Sequence, residues 1–418
     1  MVEGKSRDWT TEEKTVDIGT WKERFEWVEE LQASPDGETV AAIVNTGEET
    51  FNVCVNGQTW EKDFDKIWHL RFTPEGRPYA LVADMDQWTV AVAGTPWAEA
   101  FDYAWQPVVS ARGDHIAVSV QQGGRYAIAI DGAKWENDFA DIGHWVSSAS
   151  GTRSAAVVQV RAADSGQVHR FQEGTYTIAV DGQAWDNVFV NVWQPAFSPD
   201  ERQVAAEVRL DLYRYTIAVD GRPWGKTYGG IWAPCFHPHT AHVVAPVRQA
   251  GKWYMVQDGE IIWQKPFVQL WQQQFSTDGD RLAAICAPRF GRWTVAVDGE
   301  PWRNTFNAMV TDLTFSPDGR RIAALAKQDA HWHVVVDDQV WRNVFDMAWP
   351  PVFSSDGANV AAKVEREGRY TFVVNDRFRG QPCDMAWDPC FSDDGDALLL
   401  RYVQDGVYHR RIVPLTDI

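Results

Sequence analysis

A β-propeller is the fold class this sequence predicts, on three observations. A module of about 39 residues repeats along the chain, each copy holds four short β-type segments divided by turn residues, and the two chain ends carry complementary parts of one module. The repeated phrase is G-x-x-W-x-x-x-F-x-x-x-W-x-P-x-F-S-P-D-G. Its fullest copy runs through Gly182, Trp185, Phe189, Trp193, Pro195, Phe197, Ser198, Pro199 and Asp200, with Glu201 in place of the last glycine. The first tryptophan recurs as Trp21, Trp60, Trp97, Trp135, Trp185, Trp224, Trp263, Trp302 and Trp341, at steps of 39, 37, 38, 50, 39, 39, 39 and 39. A tenth copy has Arg379 at that place.

The elements of one module follow in order. Residues 192–197, V-W-Q-P-A-F, alternate as a strand, and Ser198-Pro199-Asp200 opens a tight turn in which proline presets φ. Residues 204–208 form the second strand and Tyr215–Val219 the third. Asp220-Gly221 is a two-residue hairpin signal, because both residues tolerate positive φ. The fourth strand is expected to carry Trp224 and Tyr228. At the C-terminus, residues 397–403 and 408–413 read as the second and third strands of a module lacking its fourth. Residues 15–25 match the missing strand, and pairing them removes open sheet edges. The expected architecture is an all-β propeller of about ten four-stranded blades in a single ring over 15–418, after an N-terminal extension, 1–14. Two five-bladed rings divided within 135–185 are the alternative.

Composition bounds the function. Five scattered cysteines among 418 residues, with no C-x-x-C, argue against a disulfide scaffold, attached haem and iron–sulfur ligation. The formal net charge of −19 disfavours nucleic acid and anionic lipid as partners and favours a basic protein surface. No apolar run of about 18 residues occurs and the start lacks an apolar leader, so a soluble cytoplasmic protein without membrane insertion is expected. The 23 tryptophans read mainly as packing, since Trp60, Trp97, Trp135, Trp185, Trp224, Trp263, Trp302 and Trp341 hold matched positions. Trp9, Trp27, Trp88, Trp253, Trp293 and Trp332 fall outside the phrase and are freer for other roles.

No catalytic constellation stands out. His237, His239 and His242 replace turn residues and lack a completing ligand, while His331 and His333 share one strand face without a third partner. The acid pairs Asp337-Asp338 and Asp393-Asp394 lie in turns. Neither G-x-S-x-G, a P-loop nor H-E-x-x-H is present. No enzyme activity, metal or cofactor is expected. The variable loops join second to third strands, and several end in a cation followed by an aromatic: Arg125-Tyr126, Arg214-Tyr215, Lys252-Trp253, Arg292-Trp293 and Arg369-Tyr370. The longest, 161–171, ends in His169-Arg170-Phe171. This face is the candidate for partner docking, because arginine and aromatics are enriched at binding hot spots. The alternative is a cation laid over its neighbour's ring.

The phrase P-x-F-S-P-D-G-x-x-V-A-A, seen in Phe315-Ser316-Pro317-Asp318-Gly319 and then Ile322-Ala323-Ala324, resembles the WD40-like repeats of the TolB type over nearly the whole chain. More narrowly, a tryptophan-rich chain of such repeats is similar to the tryptophan-rich subunits of the transmembrane cytochrome complexes of sulfate-reducing bacteria. That resemblance implies a complex joining a periplasmic multihaem cytochrome, a membrane cytochrome b and a cytoplasmic iron–sulfur protein, with the tryptophan-rich member cofactor-free on the cytoplasmic side. The expected function is then a non-catalytic scaffold subunit, held at the inner membrane by its iron–sulfur and cytochrome b partners. A stand-alone propeller binding a small ligand or peptide in its central channel is the alternative. A lactonase- or glycosidase-like enzyme is the third, and needs convergent carboxylates or a metal at the channel mouth. No functional residue carries over, because no motif defines one.

Overall fold

The computed structural model describes residues 7–161 and 174–415. Among them, ten antiparallel sheets succeed one another around a ring, nine of them ordered inner, second, third and outer strand as the chain runs and the tenth taking its outer strand from the start of the chain. Blades 1 to 5 occupy 28–59, 66–96, 103–134, 142–184 and 191–223. Blades 6 to 9 occupy 235–261, 269–301, 309–340 and 347–383, and blade 10 joins 385–414 to 13–17. In blades 9 and 10 the inner strand is split into two short pieces, around Pro350-Pro351 and around Pro389, where proline supplies no ladder donor.

Both faces of each sheet are apolar, so no blade covers itself. Val204, Ala206 and Val208 of blade 5 pack with Ala155, Val157 and Ile178 of blade 4, and Ala205 and Ile217 pack with Val243, Ala245 and Val247 of blade 6. The first of these clusters bridges the long step of the repeat, so the ring is continuous there and the two-ring alternative fails. The phrase tryptophans sit at the outer seams. Trp135 lies over Gly182 of the next blade's hairpin and Trp60 over Gly94. A Cβ on those glycines would stand 3.1 Å and 2.9 Å from the indole Cγ or Cβ region, and their φ values are +80° and +84°. Glycine is required there twice over, for the turn and for the approach. Asn137 and Asn187 add seams by donating to the carbonyls of Gly182 and Gly221 at 3.0 and 2.9 Å.

The outer strand is shorter than the sequence suggested. In blade 5 it is Arg222–Pro223; Trp224 follows it, and Tyr228 meets Tyr215 through an isolated bridge. The same two-residue outer strand ends without proline in other blades, as at Ala133–Lys134 and Gln183–Ala184.

Ring closure also departs in detail from expectation. Glu13–Asp17 pairs antiparallel with Val407–Pro414, Val16 lying opposite Tyr408. The chain then leaves the sheet: Gly19–Arg24 is a helical turn, not a continuation of the strand to Phe25. The Asp17 carboxylate accepts the N–H groups of Gly19 and Thr20 at 3.0 and 3.3 Å, a local bond that competes with the ladder. The turn still delivers Trp21, with Ile18 and Phe25, into the cluster shared by blades 10 and 1.

At this seam Arg410 is fully buried, on the third strand where Ile128, Ile178 and Ile217 fill the core of other blades. Its guanidinium pairs with Glu38 at 2.9 Å and donates to the carbonyls of Asp36 and Thr11 at 3.2 and 3.0 Å, and to that of Asp8. Beside it the Tyr408 hydroxyl donates to the Gly37 carbonyl at 2.8 Å. Glu38 is partly exposed and also holds Lys14 at 2.6 Å, so loss of the guanidinium chiefly leaves a cavity and strands the carbonyls it serves. Arg410→Ala should therefore cost about 2–4 kcal/mol in chemical denaturation. Deleting residues 1–17 should expose the edge of Val407–Pro414 and give oligomers on size-exclusion chromatography.

Candidate functional site

The inner strands present their free edge to the central channel, and a bulge in most of them aims one residue into it. In blade 5 the pairing register shifts between Trp193 and Ala196, with Gln194 at φ +36°; Gln106 and Gln272 hold the matching place at +55° and +51°. Around the ring this bulge position reads Glu30, His69, Gln106, His144, Gln194, Ala233, Gln272, Asp312, Pro350 and Asp388. Blades 3 to 7 thus present uncharged or imidazole groups. Asp and Glu at this position are confined to blades 8, 10 and 1. Across blades 4 to 7 the wall opens a cleft of about 690 Å³, lined in part by His144, Gln194, Trp232, Trp271, Gln272 and Gln273.

The residue before the bulge is tryptophan in most blades, and its partner is an aromatic on the third strand. Trp68 meets Trp88 at 4.8 Å, Trp271 meets Trp293 at 4.8 Å, Trp232 stacks on Trp253 at 5.5 Å and Trp105 meets Tyr126 at 6.0 Å between centroids. Trp88, Trp253, Trp293 and Trp332 are therefore part of a further recurrent position, and Trp88, Trp253 and Trp332 are buried. The sequence reading left them outside the pattern. The signal was an aromatic of any type, Phe51, Trp88, Tyr126, Tyr176, Tyr215, Trp253, Trp293, Trp332, Tyr370 and Tyr408, which a search for tryptophan alone misses.

The second-to-third hairpins share one face of the ring with the links between blades. Aspartates in those links pin the hairpins: Asp65 accepts the Met85 N–H at 2.8 Å, Asp102 that of Gly123 at 2.7 Å, Asp346 that of Glu367 at 2.7 Å and Asp384 that of Asp405 at 2.8 Å. Of the candidate docking cations, Arg125 pairs with Asp138 at 2.5 Å, Arg214 with Asp211 at 2.6 Å and Arg369 with Asp384 at 3.2 Å. Arg292 donates to the Thr305 hydroxyl at 2.9 Å. Lys252 is exposed. Cation and following aromatic point apart, since successive strand residues face opposite sides. His169, Arg170 and Phe171 lie outside the described residues.

Apolar side chains crowd this same face. Met85, Leu212, Tyr213 and Phe290 project from hairpins, Phe290 being 92% exposed. Met309, Met347 and Met385 each begin an inner strand in blades 8, 9 and 10, and Trp27 holds the matching place in blade 1. Their exposures, 44%, 37%, 40% and 53%, make an arc at the channel rim. The opposite face is polar. Its turns close on serine–aspartate bonds such as Ser198–Asp200 at 2.6 Å and Ser316–Asp318 at 2.5 Å, which hold those carboxyls below the usual range.

The histidines do not converge. His242 pairs with Asp258 at 2.6 Å, His239 meets the Thr277 carbonyl at 2.9 Å, and His237 packs on Phe275. Among the described residues no group of three or more His, Cys, Asp or Glu side chains is placed to hold a metal ion. Burial pushes the Cys235 thiol up to about 11 and raises that of Cys286, conditions for an inert thiol. No helix among the described residues is long and apolar enough to cross a membrane.

This is a ten-bladed β-propeller with a polar face, an apolar-studded hairpin face and a channel wall that changes character around its circumference. No family model matches the chain, and no curated protein matches its sequence. Among solved structures, TolB from Acinetobacter baumannii is similar at 14% identity over 74% of this chain and 78% of that one, with a TM-score of 0.32.

One buried carboxylate escaped the sequence reading. Glu207 lies on the second strand of blade 5, opposite Trp193 and Ile217, where Ile43, Leu81, Ile285 and Leu325 stand in other blades. Two other blades also place a charge here, but those groups have partners: Lys363 pairs with Asp388 at 3.0 Å, and Arg401 donates to the Ser34 carbonyl at 2.7 Å. Burial without a charge partner pushes the Glu207 carboxyl up to about 7 from 4.5. Between those values the folded chain keeps a proton that the unfolded chain has lost, so this group's contribution to stability falls as pH rises through the window and is level above it. Glu207→Gln should be close to wild type in urea denaturation at pH 4.5 and more stable by roughly 2–3 kcal/mol at about pH 8.

Proposed function

We propose that this propeller is a non-catalytic scaffold subunit of a membrane-associated electron-transfer complex, docking through its hairpin face on the cytoplasmic side against iron–sulfur and cytochrome b subunits. The observation that carries the docking reading is the concentration of exposed apolar side chains on one face of a ring whose other face is tiled with serine–aspartate turns. Methionine suits such a surface, since its unbranched thioether adapts to a partner's relief. Pinned hairpins lower the ordering cost of association. The net charge of −19 favours a partner with a basic rim around an apolar centre. The redox setting rests on the resemblance of the tryptophan-rich repeats to the subunits of that cytochrome complex.

Purification of the tagged protein from its native membranes tests this. Haem absorbance and iron–sulfur signals should travel with it in constant ratio, whereas a monodisperse, colourless monomer in a gentle native extract opposes the reading. The variant Met309→Glu, Met347→Glu, Met385→Glu should lower recovery of those subunits at least ~10-fold, the equivalent of about 1.4 kcal/mol, with an unchanged Tm.

A further inference from the structure

We propose that the inner wall of blades 4 to 7 is a binding site for a short, uncharged oligosaccharide. The cleft volume of about 690 Å³ is of the size that small-molecule sites have. The amides of Gln194 and Gln272 are exposed to it from positive-φ bulges, and each offers two donors and an acceptor. The Gln273 amide is fixed by donating to the Ala233 carbonyl at 2.6 Å, which turns its oxygen into an oriented acceptor. Vicinal hydroxyls, each donor and acceptor at once, are matched by such groups and by the His144 imidazole.

The indoles select the same ligand. Trp232 is 42% exposed, and Trp253 lies behind it at 5.5 Å with only 10° between the ring planes. Trp271 is held from behind by Trp293 at 4.8 Å, with its plane tilted 48° from that ring. A ring braced from behind is a rigid platform for the apolar C–H face of a pyranose, and costs little ordering entropy on binding.

Charge and backbone remove the competitors. Among the described residues no Asp, Glu, Lys or Arg lines the cleft, so no fixed charge there neutralises a phosphate, a carboxylate or an ammonium. An extended peptide would add to the free strand edge, but Pro195 and Pro234 remove donors and the bulges at Gln194 and Gln272 interrupt the row. The matching indole Trp68, 49% exposed and backed by Trp88, stands on a different arc beside His69, Arg71 and Glu30.

Tryptophan fluorescence and calorimetric titration with maltotriose, cellotriose and N,N′-diacetylchitobiose, backed by an array of neutral glycans, test the site on the intact chain. Saturable binding at or below ~1 mM for at least one neutral glycan is expected. Trp232→Ala and Gln272→Ala should each weaken it at least ~10-fold, while Trp68→Ala leaves it unchanged, all three keeping the wild-type circular dichroism. Gln272→Ala removes only an exposed amide, so it reads the site even where loss of an indole disturbs packing. Absence of binding to every neutral glycan, equal loss in Trp68→Ala, or a preference for glucuronate oligomers or peptides would overturn the proposal. The cleft lies within the channel, apart from the methionine arc, so failure here leaves the docking reading standing and the reverse is equally true.

Discussion

The contact between adjacent blades is what the rest of this structure depends on. Val204 and Ala206 face one neighbour while Ala205 and Ile217 face the other, so a single sheet has two apolar sides and no means of covering either. Stability is then a sum over seams, as in other quasi-one-dimensional repeats, with the difference that the last seam returns to the first. The tryptophan–glycine pairs show how finely each seam is fitted: Trp185 leaves no room for a Cβ at Gly221 beyond 3.1 Å. A repeat held by such contacts tolerates change only where the chain leaves the sheets. That is why the hairpin loops vary while the turn on the opposite face hardly does.

That division explains the two faces. The serine–aspartate turns are constrained from both sides, because Asp220 also accepts the N–H of Val204 at 2.9 Å and Arg321 reaches the Gly357 carbonyl of the next blade at 3.1 Å. Side chains there are committed to the ring itself. On the hairpin face the aspartate latches engage chiefly backbone, which fixes the position of each loop and leaves its apolar side chains uncommitted. Exposed residues such as Phe290 and Met85 are what remains when a rigid loop carries an apolar group with nothing in its own blade to cover it.

Much of the fold was legible because its determinants are local or periodic. The tryptophan spacing, the D-G hairpins and the split blade at the chain ends led directly to ten blades and to closure of 15–25 on 408–413, of which the structure keeps the pairing up to Asp17. What was missed depended on side-chain bonds, some local and some between groups distant in sequence. The helical turn at Gly19 follows from an aspartate bonding its own backbone, a choice that strand propensity does not register. The third aromatic position was seen only as five cation–aromatic pairs and not as part of the repeat, because phenylalanine, tyrosine and tryptophan exchange freely there. The candidate sites were the least legible. The five cation–aromatic pairs were visible, but their partners Asp138, Asp211 and Thr305 are set by the blade and are not marked in sequence. The channel cleft depends on which bulges lack charge, and becomes visible only once ten inner strands are aligned by register.

Closure poses a problem of its own, since ten similar seams leave the chain free to join the wrong pair of edges. An aliphatic side chain at position 410, as in Ile128 or Ile217, would let the last blade pack on any neighbour's second strand. Arg410 removes that freedom. Its buried guanidinium needs the Glu38 carboxylate and the carbonyls of Thr11 and Asp36, and only the N-terminal segment and blade 1 bring these together. Against any other blade the same charge would be buried without a partner, at a cost of several kcal/mol. Tyr408 and Arg401 add bonds to the Gly37 and Ser34 carbonyls of that same turn, which recurs in other blades, so they strengthen the seam without selecting it. The ring thus uses interchangeable apolar contacts to grow and one charged, non-interchangeable contact to stop.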